Sequence, residues 1–198
     1  MTLCFSQTSV GRGGRFGLKD EQCSSTMRSD RIDEKYMRVA LEEAGHACRK
    51  GEVPVGAVLV KGDQILSVDH NRCIELSDPT AHAEILVLRK AGELLGNYRL
   101  NETAMYVTVE PCPMCAFAMV HSRIARLVFG TREPKFGAVV SKFELLNSEG
   151  LNHSIEVEEG ILRTECSESL KGFFSRRRME KRIGRNGRSK LGEVAELA

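Results

Sequence analysis

Apolar side chains recur at spacings of three and four from Met37 through Ala40, Leu41, Ala44, Ala47 and Cys48, which predicts a helix that Asp33 caps and Gly51 stops. The pattern then changes to short continuous runs. Val55 to Val60 follows Pro54 and reads as a buried strand, Lys61-Gly62-Asp63-Gln64 as a turn, and Ile65 to His70 as the returning strand of an antiparallel hairpin. Helical spacing resumes with Ile85, Leu86, Leu88, Ala91 and Leu95. Asp78-Pro79-Thr80 marks the start of that helix, with Thr80 as its cap, and Gly96 marks its end. Ala104 to Val109 is a strand, Pro113 to Ser122 a helix opened by proline, and Arg126 to Phe129 another strand. Between Pro134 and Gly150 the pattern weakens to a Gly137 break and a short helix near Phe143 to Leu146. A last short strand at Ile155 to Val157 precedes a helix from Leu162 to Arg182 with Leu170, Phe173 and Phe174 on its apolar face. This order of elements predicts an α/β domain, a mixed sheet covered by helices on both faces.

Composition sharpens the picture without changing it. A chain of 198 residues with 41% hydrophobic and 28% charged side chains is long enough for one core of ordinary size and not for two full domains. The expected core is residues 32–182, with flexible stretches at 1–31 and 183–198, and Gly11 to Gly17 reads as linker. Met27 is an alternative start. No apolar run is long enough for a membrane span, and the first thirty residues lack a secretory pattern, so the expected location is cytoplasmic. The seven cysteines, at 4, 23, 48, 73, 112, 115 and 166, are odd in number and scattered, as buried thiols or metal ligands are in a reducing compartment. The net charge of +2 hides a concentration: Lys171 to Lys190 carries nine Lys or Arg and one Glu, a segment that attracts a polyanion.

Two short motifs carry the chemistry. His82-Ala83-Glu84 alone is a common surface pattern. In Pro111-Cys112-Pro113-Met114-Cys115 the two thiols sit three apart at a helix N-terminus, where unpaired N–H groups favour thiolates, so they can grip one metal ion; an inert buried pair is the alternative. Taken together, each motif opens a predicted helix, and one imidazole with two thiolates gives three ligands and leaves a tetrahedral zinc one open position. Glu84 is poorly placed as a fourth ligand but can reach a metal-bound water.

These two motifs, with Glu52-Val53-Pro54-Val55-Gly56-Ala57-Val58, Asp78-Pro79-Thr80-Ala81, Asn97-Tyr98-Arg99-Leu100, Tyr106-Val107-Thr108-Val109-Glu110 and His121-Ser122-Arg123-Ile124, resemble the bacterial-type tRNA-specific adenosine deaminases of the zinc-dependent cytidine/deoxycytidylate deaminase superfamily. The likeness runs from about Tyr36 to Arg178. It implies a three-layer cytidine-deaminase-like fold around a mixed five-stranded sheet. The implied activity is hydrolytic conversion of adenosine to inosine at the first anticodon position of tRNA, by a homodimer with one Zn2+ per subunit. The implied ligands are His82, Cys112 and Cys115, and the implied proton shuttle is Glu84, while zinc-activated water attacks C6 of a base splayed out of the anticodon loop. Asn71 matches a position that hydrogen-bonds the target nucleoside, and Phe173, Arg176, Arg177 and Arg178 match a C-terminal helix lying against the tRNA. Glu133, Pro134, Val139 and Val140 depart from the family pattern in a loop expected to border the RNA. Two rival readings are a deaminase of free guanine, cytosine or a small nucleoside, and a non-catalytic zinc or RNA-binding module closed by a fourth ligand from Cys73, His70 or Cys48.

Overall fold

The computed structural model describes the backbone of residues 18–195 and the side chains of 31–183. The linker reading of Gly11 to Gly17, and most side chains of 1–31 and 183–198, lie outside the described residues. The elements in chain order are α1 (Leu18–Arg49), β1 (Gly56–Lys61), β2 (Gln64–His70), α2 (Cys73–Leu76), α3 (Ala83–Leu95), β3 (Thr103–Val109), α4 (Pro113–Ser122), β4 (Arg126–Thr131), a short 3-10 turn (Leu145–Asn147), β5 (Glu156–Glu159) and α5 (Arg163–Ala195). The five strands form one sheet in the order β2-β1-β3-β4-β5. β1 runs antiparallel to β2 and β3, and β3, β4 and β5 run parallel. This is a mixed five-stranded sheet with helices on both faces, the architecture that the sequence resemblance implies.

The strands read as continuous apolar runs because the sheet is buried on both faces. Alternate residues serve different layers. Ala57, Leu59, Met105, Val107, Leu127 and Phe129 pack with α3 and α4, whereas Val58, Val60, Tyr106 and Val128 pack with Tyr36, Met37 and Ala40 of α1 and Cys166 of α5. α1 lies so close to the sheet that a Cβ on Gly56 would sit 2.6 Å from the Ala44 amide nitrogen, a separation no side chain tolerates.

Three polar residues correct or extend the sequence reading. Asp33 lies inside α1 and caps nothing. Its buried carboxylate accepts from both terminal guanidinium nitrogens of Arg126, at 2.7 and 2.9 Å, and from the Tyr106 hydroxyl at 2.8 Å, which ties the helix to β3 and β4. Hydrogen bonding to Asp33 raises the Arg126 pKa, and burial, reinforced by Asp33, raises that of Tyr106, so both remain donors at neutral pH. Thr80 does not cap α3, which begins two residues later than expected, with His82 at the N-cap. The Thr80 hydroxyl and amide are committed to Asp78 Oδ1, each at 2.7 Å. Finally, α2 is a single turn that periodicity cannot detect. It is organised from outside by buried Glu52, whose carboxylate accepts the Ile74 and Glu75 amides at 2.8 and 2.9 Å.

Removing the Asp33 carboxylate leaves Arg126 and the Tyr106 hydroxyl without their shared acceptor. Asp33→Ala is expected to lower unfolding stability by about 3 kcal/mol in urea titrations, while Glu34→Ala, an exposed neighbour, changes it little.

Candidate active site

The ends of β2 and β3 bring two helix N-termini together, and the chemistry sits where they meet. His82 is the N-cap of α3 and Cys112 the N-cap of α4; both have extended backbones and neither uses its side chain to cap its helix. Pro113 fills the first turn of α4, where no N–H is needed, and Cys115 follows one turn on. Their donor atoms converge: Cys112 Sγ to His82 Nδ1 is 3.7 Å, Cys115 Sγ to His82 Nδ1 3.6 Å, and Sγ to Sγ 3.7 Å. One imidazole nitrogen and two sulfurs at mutual contact, with Cys115 fully buried, form a donor set that fits a borderline-soft divalent metal ion.

The local electrostatics favour a thiolate. The hydrogen bond with Cys115 brings the Cys112 pKa down to about 4 against the opposing effect of burial, and His82 adds to the depression. That same hydrogen bond, then burial, pushes Cys115 up, and the hydrogen bond to Cys112 raises His82. Glu84, in the first turn of α3, lies beside the three donors, its carboxyl interacting with the Cys115 thiol, and it lines the same cleft. It is 3% exposed, and burial raises its pKa, the direction expected of a carboxyl that exchanges protons near neutral pH.

Asn71 performs the capping that His82 does not. Its Oδ1 accepts the Ala83 amide at 2.9 Å, and the Arg72 amide donates to the Ala81 carbonyl at 3.0 Å, so the chain leaving β2 fixes the start of α3. Among the described residues no fourth protein ligand joins the cluster. The three candidates for closing the site are engaged elsewhere: His70 Nδ1 with Glu43 at 2.7 Å, the Cys73 thiol with the Ala81 carbonyl at 3.5 Å, and Cys48 Sγ with Arg176 at 2.8 Å.

The cleft above the cluster encloses about 660 Å3. Val53, Val55 and Val109 give it apolar walls, the Glu133 to Phe136 loop contributes Lys135 and Phe136, and α5 contributes Leu170, Lys171, Phe174 and Arg178. Of the four residues proposed on α5 from sequence, only Arg178 lines the cleft. Phe173 is buried beneath it, Arg177 lies over the Phe173 ring and pairs with Glu180, and Arg176 turns toward Cys48.

Glu110 is the residue that sequence reasoning missed most completely. It lies in the strand-to-helix turn two positions before Cys112, is buried, and accepts the amides of Glu133, Val139, Val140 and Ser141 at 2.8 to 3.1 Å, together with the Ser141 hydroxyl. Burial pushes its carboxyl up, but the bonds from Ser141, Val140 and Glu133 together hold it below the ordinary value. Gly137 packs directly against it: a Cβ there would collide with the carboxylate and sit 2.6 Å from the Glu133 carbonyl oxygen. The loop that walls the cleft is thus folded around one buried anion.

Comparison with known proteins agrees with this geometry. The family model of the MafB19-like deaminases matches residues 32–178. The tRNA-specific adenosine deaminase of Haemophilus influenzae is 50% identical over 161 residues, covering 81% of this chain and 92% of that protein. That of Bacillus subtilis is 45% identical over 157 residues, covering 79% and 98%. The chain belongs to the tRNA-specific adenosine deaminase family. A structure solved in a study of A-to-I editing by tRNA:A34 deaminases at the wobble position superposes on this deaminase with a TM-score of 0.67 at 44% identity, covering 69% of this chain and 99% of that one. A guanine deaminase from Nitrosomonas europaea shares the deaminase fold at 24% identity and a TM-score of 0.63, covering 71% of this chain and 83% of its own.

Gly137→Ala tests the anion-centred loop. Amides of Val139, Val140 and Ser141 are expected to exchange with deuterium about tenfold faster or more, with exchange in the sheet unchanged.

Proposed function

We infer that this protein deaminates adenosine to inosine at the wobble position of tRNA, consuming one water and releasing one ammonia. The observation that carries the inference is the His82, Cys112 and Cys115 cluster, with His82, Cys112 and Glu84 lining one cleft, in a chain 50% identical to a tRNA-specific adenosine deaminase. His82, Cys112 and Cys115 would hold Zn2+. When bound, the ion supplies Lewis acidity that makes water a nucleophile at neutral pH. Glu84 accepts the proton of the attacking water, passes it to N1 of the adenine ring, and delivers a proton to the departing amino group. Burial serves this role, because a carboxyl with a raised pKa both takes and returns protons readily. Asn71, which lines the cleft at the head of α3, would hold the target nucleoside there.

The cationic rim favours RNA over a free base. Lys135, Lys171 and Arg178 border the cleft, and basic side chains there meet phosphates that a small neutral base does not possess. The target base must be splayed from the anticodon loop to reach Glu84. A tRNA substrate supports the expected cytoplasmic location, and no helix among the described residues is long and apolar enough to cross a membrane.

Exposed apolar side chains on α3, α4 and the residues after α3 support a homodimer. Leu94, Leu95, Tyr98, Met114 and Phe117 are exposed, and Tyr98 lines a groove of about 670 Å3 together with Ile85, Leu88 and Ala118. A second copy of the chain is the proposed occupant.

The decisive assay is inosine measured by nucleoside mass spectrometry after incubation with a tRNA transcript bearing adenosine at the first anticodon position. The wild type is expected to form inosine at that site. Glu84→Gln is expected to lose about a thousandfold in rate while keeping its metal, and Cys112→Ser to lose metal by elemental analysis. Retained activity in Glu84→Gln would sink the proton shuttle. For the dimer, Leu94→Arg is expected to halve the mass measured by sedimentation; an unchanged mass would place the interface elsewhere.

A further inference from the structure

We propose that Phe136 determines sequence context by stacking on a base that flanks the target adenosine. The proposal rests on the tRNA reading above.

Phe136 is 66% exposed and lines the cleft. A single exposed phenylalanine is ordinary on a protein surface, so exposure alone assigns nothing. Here the backbone that carries the ring is held on both sides. Glu133 and Val139 donate their amides to Glu110 at 3.0 and 3.1 Å, the Gly137 amide donates to the Glu133 carbonyl at 2.7 Å, and the Ala138 amide donates to the Pro111 carbonyl at 2.9 Å. Pro134 further fixes the backbone two residues before it. The loop cannot fold the ring into the core without breaking the bonds to Glu110.

Its surroundings indicate the ligand. Phe174, 41% exposed, lines the same cleft, and so do the cations Lys135, Lys171 and Arg178. Aromatic faces interleaved with cations suit single-stranded nucleic acid, with bases on the rings and phosphates on the cations. A target base drawn down to Glu84 leaves its neighbour without a stacking partner on that side. A ring carried on an already ordered loop can replace the lost partner at the cost of ordering its own side chain alone.

The test measures kcat and KM for wild type, Phe136→Ala and Phe136→Tyr on an anticodon stem-loop RNA, and on two versions in which the base on one or the other side of the target is abasic. On the intact loop Phe136→Ala is expected to lose about tenfold or more in kcat/KM, mostly through KM, and Phe136→Tyr to keep most of the activity. On one of the abasic loops the wild type is expected to drop to the level of Phe136→Ala, with no further loss from the substitution. Wild-type kcat/KM for Phe136→Ala on the intact loop overturns the proposal, as does a loss that is equally large on both abasic loops. Absence of inosine from the wild type on every RNA overturns the tRNA reading and this inference with it.

Discussion

Everything in the site depends on holding two helix N-termini in contact. Helix starts expose unpaired N–H groups and the positive end of the peptide dipoles, so they stabilise thiolates and attract electron-rich groups while repelling one another. The sheet supplies the force that keeps them together. β1 lies between β2 and β3, and the chain leaves β2 toward α3 and β3 toward α4, so the pairing of three strands determines where His82 and Cys112 meet. Asn71 completes the arrangement by satisfying the first amide of α3 from outside the helix, which leaves the His82 side chain available.

Buried carboxylates do the remaining structural work, each at a point where the backbone lacks a partner or two layers must be joined. Asp33 fastens α1 to β3 and β4, Glu52 organises the single turn of α2, and Glu110 gathers the amides of the cleft loop. Glu84 is buried as well, but its carboxylate serves no such backbone cluster; it opens on the cleft. That contrast separates a carboxyl fixed as an anion by several donors from one whose charge burial disfavours.

The elements legible in the sequence are those whose signal is local. The strands show as apolar runs because both faces of the sheet are covered, and α4 shows its own boundaries through Pro113 and the residues after it. The candidate donor cluster was legible because two thiols three apart and a histidine at a helix start are patterns in the chain itself. What escaped was the work of polar residues whose partners are remote. Asp33 and Thr80 are ordinary capping residues by type, and only their tertiary partners, Arg126 for one and the Asp78 turn for the other, decide against capping. Glu110 bonds residues from 23 to 31 positions away, and α2 is nucleated by a residue 22 positions before it. On α5 periodicity identified a helix with a basic end, but not which of its arginines faces the cleft, because that depends on the angle at which the helix crosses the sheet.

The turn between β3 and α4 holds Glu110 and Cys112 two residues apart, one anchoring the cleft wall and the other a member of the candidate metal cluster. A shift of that turn large enough to reshape the wall would therefore also displace the catalytic centre. Variation that spares the chemistry is confined to side chains projecting outward from the loop, beyond Gly137 and the amides that bind Glu110. In this architecture substrate preference can drift through a few surface positions while the reaction itself stays fixed, and the boundary between the two is drawn by a single carboxylate.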